Sequence, residues 1–119
     1  MRDYTKIVAW QKADDLTVAV YAATKNFPKD EVYALTSQLR RAAYSVPANI
    51  VEGAARESKK DYCHFLVIAR GSLAETGYFI HLAYRLSYLT ADQHRHLTEQ
   101  TDEAARTLAG LIKAVQSEV

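Results

Sequence analysis

The chain has 119 residues, 49% of them hydrophobic and 24% charged, with a formal net charge of +1. That length suits a single domain, 1–119, with a core of its own, and the composition argues against disorder. A charge so near zero excludes a global basic field, no apolar run reaches the ~20 residues of a membrane span, and the lone cysteine, Cys63, excludes an internal disulfide.

Only four glycines and two prolines interrupt the chain, and apolar residues recur at helical spacing throughout. The first helix is predicted over about 8–26. Trp10, Ala13, Leu16, Val20, Ala23 and Phe27 step by three or four residues and form one buried stripe. Phe27-Pro28 ends it, because the residue before a proline disfavours helical geometry.

The second helix is predicted over about 29–55, with Asp30 and Glu31 in a first turn that favours carboxylates. Its stripe, Leu35, Leu39, Ala42, Val46, Ile50 and Gly53, stays in phase across Pro47. A restart at Pro47 would leave Val46 as the N-cap, a poor one. The pattern therefore predicts one helix kinked at Pro47. Proline removes a backbone hydrogen bond there and crowds the carbonyl of Ala43, costing ~3 kcal/mol unless a neighbour compensates.

The third helix is predicted over about 59–87, with Ser58 as N-cap and Asp61 three residues on. It carries two apolar stripes. One is Tyr62, Phe65, Leu66, Ala69, Leu73 and Ile80; the other is Val67, Ile68, Gly71, Ala74, Tyr78, Leu82 and Leu86. A bundle helix needs one buried face, so the second stripe, Val67 to Leu82, is assigned to a contact between copies of the chain. Gly71, Ala74 and Gly77 would let another backbone come close. The fourth helix is predicted over about 91–117. Thr90-Ala-Asp-Gln93 fits a capping box, and Leu97, Thr101, Ala104, Leu108, Leu111 and Val115 form an antiparallel seam. Short connections make the fold all-α: an up-down-up-down antiparallel four-helix bundle.

Bundles of this shape can hold carboxylate-bridged metal pairs, which need two Glu-x-x-His motifs and two further glutamates. Asp61-Tyr-Cys-His64 is the nearest match and occurs once. The imidazoles of His94 and His96 point about 200° apart on a helix and cannot share an ion. Neither a phosphate-binding glycine loop nor a His-Glu-x-x-His motif is present. No catalytic residue, metal, cofactor or small-molecule substrate is expected, and a metal-binding or enzymatic bundle ranks last among the readings. The tyrosines share no single face and do not alternate with a basic run, so they read as core or interface residues.

Polar residues beside the proline carry the sharper question. Ser45, Asn49 and Glu52 stack along one side of the second helix, Arg41 lies near the same side, and Ser72 and Glu75 stack on the third. These six are read as a polar network that fixes register and supplies partners to the carbonyls freed by Pro47. The competing readings are a ligand or catalytic site built on Glu52 and Glu75, and plain solvent exposure. Residues 1–60 carry ten Lys/Arg against seven Asp/Glu, while residues 61–119 carry five against seven. The basic excess gathers at Arg40, Arg41, Arg56, Lys59 and Lys60. Repeated round a ring, it would form a patch for nucleic acid or another partner; the alternative is solvated charge paired with Asp30, Glu57 and Asp61.

Three stretches resemble the four-helix-bundle proteins encoded within intervening sequences of bacterial 23S rRNA genes. They are Phe27-Pro-Lys-Asp-Glu-Val-Tyr-Ala-Leu-Thr-Ser-Gln-Leu-Arg-Arg-Ala-Ala43, Ser45-Val-Pro-Ala-Asn-Ile-Val-Glu-Gly53 and Ser58-Lys-Lys-Asp-Tyr-Cys-His-Phe-Leu66, followed by Gly71-Ser-Leu-Ala-Glu75 and a Leu86-x-x-Leu89-Thr turn. The accessory variability determinant of diversity-generating retroelements is similar in fold and works beside a reverse transcriptase. The resemblance implies a homopentameric barrel of bundles without enzymatic activity. The retroelement relatives are strongly basic and this chain is not. The combined expectation is a cytoplasmic, non-enzymatic, oligomeric scaffold or adaptor whose partner is a protein or a nucleic acid.

Overall fold

The computed structural model describes residues 2–119. Four helices follow one another: α1 (Val8–Thr24), α2 (Leu35–Ala54), α3 (Lys59–Arg85) and α4 (Ala91–Gln116). Single 3-10 turns at Tyr4–Lys6 and Lys29–Glu31 precede the first two, and no strand occurs among the described residues. Each helix packs against its two neighbours, α1 against α4 included, which closes an antiparallel bundle 44 × 24 × 20 Å in extent. The expected up-down-up-down bundle is what forms.

One side of each helix fills the core. Leu16 and Val20 of α1 meet Leu39, Val46 and Ile50 of α2, Leu66 and Ile80 of α3, and Leu108 of α4, all 1% exposed or less. Local chemistry fixes where the helices stop and start. Ser58 Oγ accepts from the Asp61 N–H at 3.1 Å, and Thr90 and Gln93 cap α4 reciprocally. After α3, the Tyr88 N–H reaches the Ala83 carbonyl and the Ser87 N–H the Tyr84 carbonyl, both at 2.9 Å. That pair of bonds is a Schellman cap with Ser87 at φ 63°.

The start of α2 differs from the sequence expectation. It begins at Leu35 rather than near residue 29, because the chain after the Lys29–Glu31 turn breaks at Ala34 (φ −124°, ψ −107°). Glu31 acts from outside the helix: its carboxylate accepts from the Leu35 N–H at 3.4 Å and from the Tyr88 hydroxyl at 2.7 Å. A long-range bond thus overrides the local preference for acids in a first turn.

Through Pro47, α2 runs on unbroken. The carbonyl of Ala43, deprived of its usual i+4 donor, lies 3.1 Å from the Thr17 hydroxyl of α1, whose single proton it shares with the Ala13 carbonyl at 2.8 Å. The compensation comes from α1, not from the polar residues on the α2–α3 side. At the far end of α2, Gly53 sits against the start of α3. A Cβ there would lie 3.0 Å from Phe65 Cβ and 3.1 Å from the Tyr62 carbonyl oxygen. A side chain there would force its neighbours to give way by a few tenths of an ångström.

Candidate functional site

The outward side of α2 has a face toward α3 and a face toward α1, and each forms a distinct concavity. On the α3 face, Ser45 Oγ and Ser72 Oγ lie 3.0 Å apart. Asn49 Nδ2 lies 2.8 Å from the Ser45 carbonyl and 3.1 Å from its hydroxyl. The two serines join Gln38, Arg41, Ala42, Glu75 and Phe79 around a cavity of about 240 Å³.

Of the six residues assigned to the polar network, the structure joins Ser45, Asn49 and Ser72. Arg41 and Glu75 flank the cavity from exposed positions without a hydrogen bond between them among the described residues. Glu52 stands apart and pairs with Arg56, one turn later, at 2.6 Å in solvent. A carboxylate at the helix end keeps its hydration more cheaply than it enters a half-buried serine cluster. Glu52 and Glu75 therefore form no common site.

On the α1 face a second cleft, of about 300 Å³, lies among Tyr21 of α1, Val32 and Tyr33 of the turn, and Thr36, Ser37, Arg40, Arg41 and Tyr44 of α2. Its cation is held in place. The Thr24 hydroxyl bonds to the Val20 carbonyl at 2.8 Å and accepts from Arg40 Nε at 2.8 Å, while the guanidinium lies 4.6 Å over the Tyr21 ring. The buried Thr36 Oγ1 finds no partner among the described residues. Sequence reasoning missed this gathering, because its tyrosines come from three separate elements. The available signal was the spacing of Arg40, Arg41 and Tyr44, which places Tyr44 one turn from both arginines.

The basic residues do not form one patch. Arg40 and Arg41 sit in the first turns of α2, whereas Arg56, Lys59 and Lys60 follow its end, roughly 24 Å along the axis at ~1.5 Å per residue. The second cluster holds its own partners. Arg56 pairs with Glu52 and lies 4.6 Å over the Phe65 ring; Lys59 meets Glu118 at 3.5 Å. Arg2 donates to the Arg56 carbonyl at 2.7 Å and covers the Tyr62 ring at 4.3 Å. Burial of Tyr62 raises its phenol above the ordinary range against the opposing pull of Arg2. No ion pair among the described residues uses Asp30, Glu57 or Asp61.

The residues assigned to subunit contact lie mostly outside the core. Val67 is 37%, Ile68 40% and Tyr78 57% exposed. Gly71 and Ala74 are exposed too, and Leu82 leans partly against the core. A Cβ at Gly71 would touch nothing within 4 Å. Beside this stripe, Leu73, Ala74, Gly77, Ala105, Leu108 and Ala109 line an apolar groove of about 370 Å³ between α3 and α4.

The histidines serve other contacts. His94 stacks on Tyr84 at 4.1 Å and 11°, and His96 faces Asp92 at 3.6 Å. The Arg95 guanidinium, bonded to Asp92, holds that carboxyl below its usual range. Among the described residues, no three His, Cys, Asp or Glu side chains converge.

A comparison with curated proteins finds no match. Among solved structures, the chain is similar to the crystal structure of a protein of unknown function from the S23 ribosomal protein family of Bacteroides thetaiotaomicron VPI-5482. The two are 26% identical with a TM-score of 0.82, over 89% of this chain and 96% of that one. The family model described as 23S rRNA-intervening sequence protein matches residues 5–110. With nearly the whole bundle inside that match, the chain belongs to the 23S rRNA-intervening sequence protein family.

Proposed function

We propose that the chain is a non-enzymatic subunit of a homopentameric scaffold in the cytoplasm, joined to its copies through the outward stripe of α3. One observation carries this reading: Val67, Ile68 and Tyr78 stand exposed around Gly71, where an added Cβ would meet nothing. A glycine inside a helix costs about 1 kcal/mol relative to alanine. Within one subunit no contact requires it. A second backbone pressed against Gly71 would use the space that the missing side chain leaves.

The five-fold arrangement follows from the resemblance of the sequence to its family, and cyclic closure is the usual way for copies of one chain to cover such a face. The role is that of an adaptor holding a protein or nucleic-acid partner on the outer surface. The accessory variability determinant of diversity-generating retroelements, which the sequence resembles in fold and which works beside a reverse transcriptase, offers a functional parallel.

Light scattering on the purified protein tests the assembly. The wild type is expected at the pentameric mass, and V67D/Y78D at the monomeric mass with its helical circular dichroism intact. A wild type that runs as a lone subunit at micromolar concentration sinks the proposal.

A further inference from the structure

We infer that the cleft between α1 and the start of α2 binds single-stranded nucleic acid, seating one nucleotide with its base on a tyrosine ring and its phosphate on Arg40 and Arg41. This goes beyond the assembly reading and stands without it, because every residue involved belongs to one subunit and none lies on the α3 stripe.

Three features of the cleft point the same way. First, three tyrosines line it, Tyr21, Tyr33 and Tyr44, and Tyr33 is 95% exposed. A ring so bare contributes nothing to the core, and base stacking on such rings is the main sequence-independent grip on a single strand. Second, the cations are suitably placed. The bond from Arg40 Nε to Thr24, with the guanidinium over Tyr21, fixes the direction of the fork while its remaining N–H groups stay available. Arg41 adds a second guanidinium, and no carboxylate is among the residues that line the cleft. Planar forks of this kind match phosphate oxygens bidentately. Third, the exposed Ser37 adds a hydroxyl to the lining, which can answer the polar edge of a base or a sugar.

The volume, about 300 Å³, lies at the lower end of small-ligand sites, roughly 300–1,000 Å³. That suits one nucleotide unit and no more. An acidic peptide would engage the guanidiniums and leave the rings idle; a nucleotide uses both. The near-neutral net charge of the chain is no obstacle, since stacking supplies what a diffuse basic field would otherwise have to provide.

Anisotropy of a fluorescein-labelled uridine decamer, titrated at low and at moderate salt, reads the binding. A decamer of abasic sugar-phosphate separates stacking from charge, and unlabelled AMP, as competitor, separates a free nucleotide from a strand. The decamer is expected to bind about tenfold more tightly than the abasic strand, and its affinity to fall with salt. Tyr33→Ala, at a position with no folding role, should remove that tenfold advantage and leave abasic binding unchanged. Arg41→Gln should weaken both strands, with thermal melts of both variants matching the wild type. Competition by AMP assigns the cleft to free nucleotides as well as strands, and its failure assigns it to strands alone; either agrees with the site. Absence of decamer binding at low salt overturns the inference. So do equal affinities for the two strands that Tyr33→Ala does not change, and binding of a phosphotyrosine peptide in place of the decamer.

Discussion

The two ends of α2 solve opposite problems with the same helix. At its C-terminal end the backbone lies against α3, and Gly53 makes the contact by having no side chain. At its N-terminal end a surface cleft opens toward α1, and large side chains, Tyr21, Arg40 and Tyr44, line it. The sealed end is specified by shape, so almost any added atom disturbs it. The open end is specified by chemistry, so its exposed residues, Tyr33 and Tyr44 among them, can change without disturbing the core. A site can be built only where the packing has left slack.

That contrast can be broken most sharply at Gly53. Gly53→Ala places a Cβ 3.0 Å from Phe65 Cβ and 3.1 Å from the Tyr62 carbonyl oxygen, which belongs to the backbone and cannot swing away. A loss of about 1–3 kcal/mol is expected, or a Tm lower by roughly 4–12 °C by circular dichroism. A melt unchanged within error would show that the two ends are equally tolerant. Next in size is Thr17→Val, which keeps the shape of α1 but takes the donor from the Ala43 carbonyl. About 1–2 kcal/mol should be lost, and hydrogen exchange should quicken in the middle of α2. If Thr17→Val melts like the wild type, the account of how α2 tolerates Pro47 fails.

The smallest effects sharpen the comparison within the α3 side. Asn49→Leu removes two contacts to Ser45 and should cost about 1 kcal/mol. Glu52→Gln breaks an exposed pair with Arg56 and should cost less than about 0.5 kcal/mol. Equal losses from the two would return Glu52 to the serine cluster.

Much of the architecture was legible in the sequence. Ser58 and Thr90 announce the starts of α3 and α4 through side chains that cap the next turn, and those starts fall where the spacing puts them. The start of α2 was not legible, since its position depends on Tyr88, far along the chain, holding Glu31 at 2.7 Å. The polar cluster was half legible. Periodicity put Ser45, Asn49 and Glu52 on one side, but it cannot tell how deep a side lies, and depth is what excludes Glu52. The donor to Ala43 was sought on the wrong face, because nothing in a linear pattern says which neighbour leans over a carbonyl. The tyrosine cleft was invisible for a related reason: three elements contribute to it, and only α2 supplies several of its residues at helical spacing.

The hydroxyl of Thr17 has a last consequence, for the order of assembly. An isolated hairpin of α2 and α3 would keep its glycine contact and its paired serines, yet the carbonyl beneath the proline would turn to water and the central turn would fray. Docking of the N-terminal helix is what completes the second one. Proline, usually a helix breaker, thereby couples the first half of the molecule into a single cooperative unit, and a chain that lacks α1 should lose protection in the heart of α2 as well as at its new end.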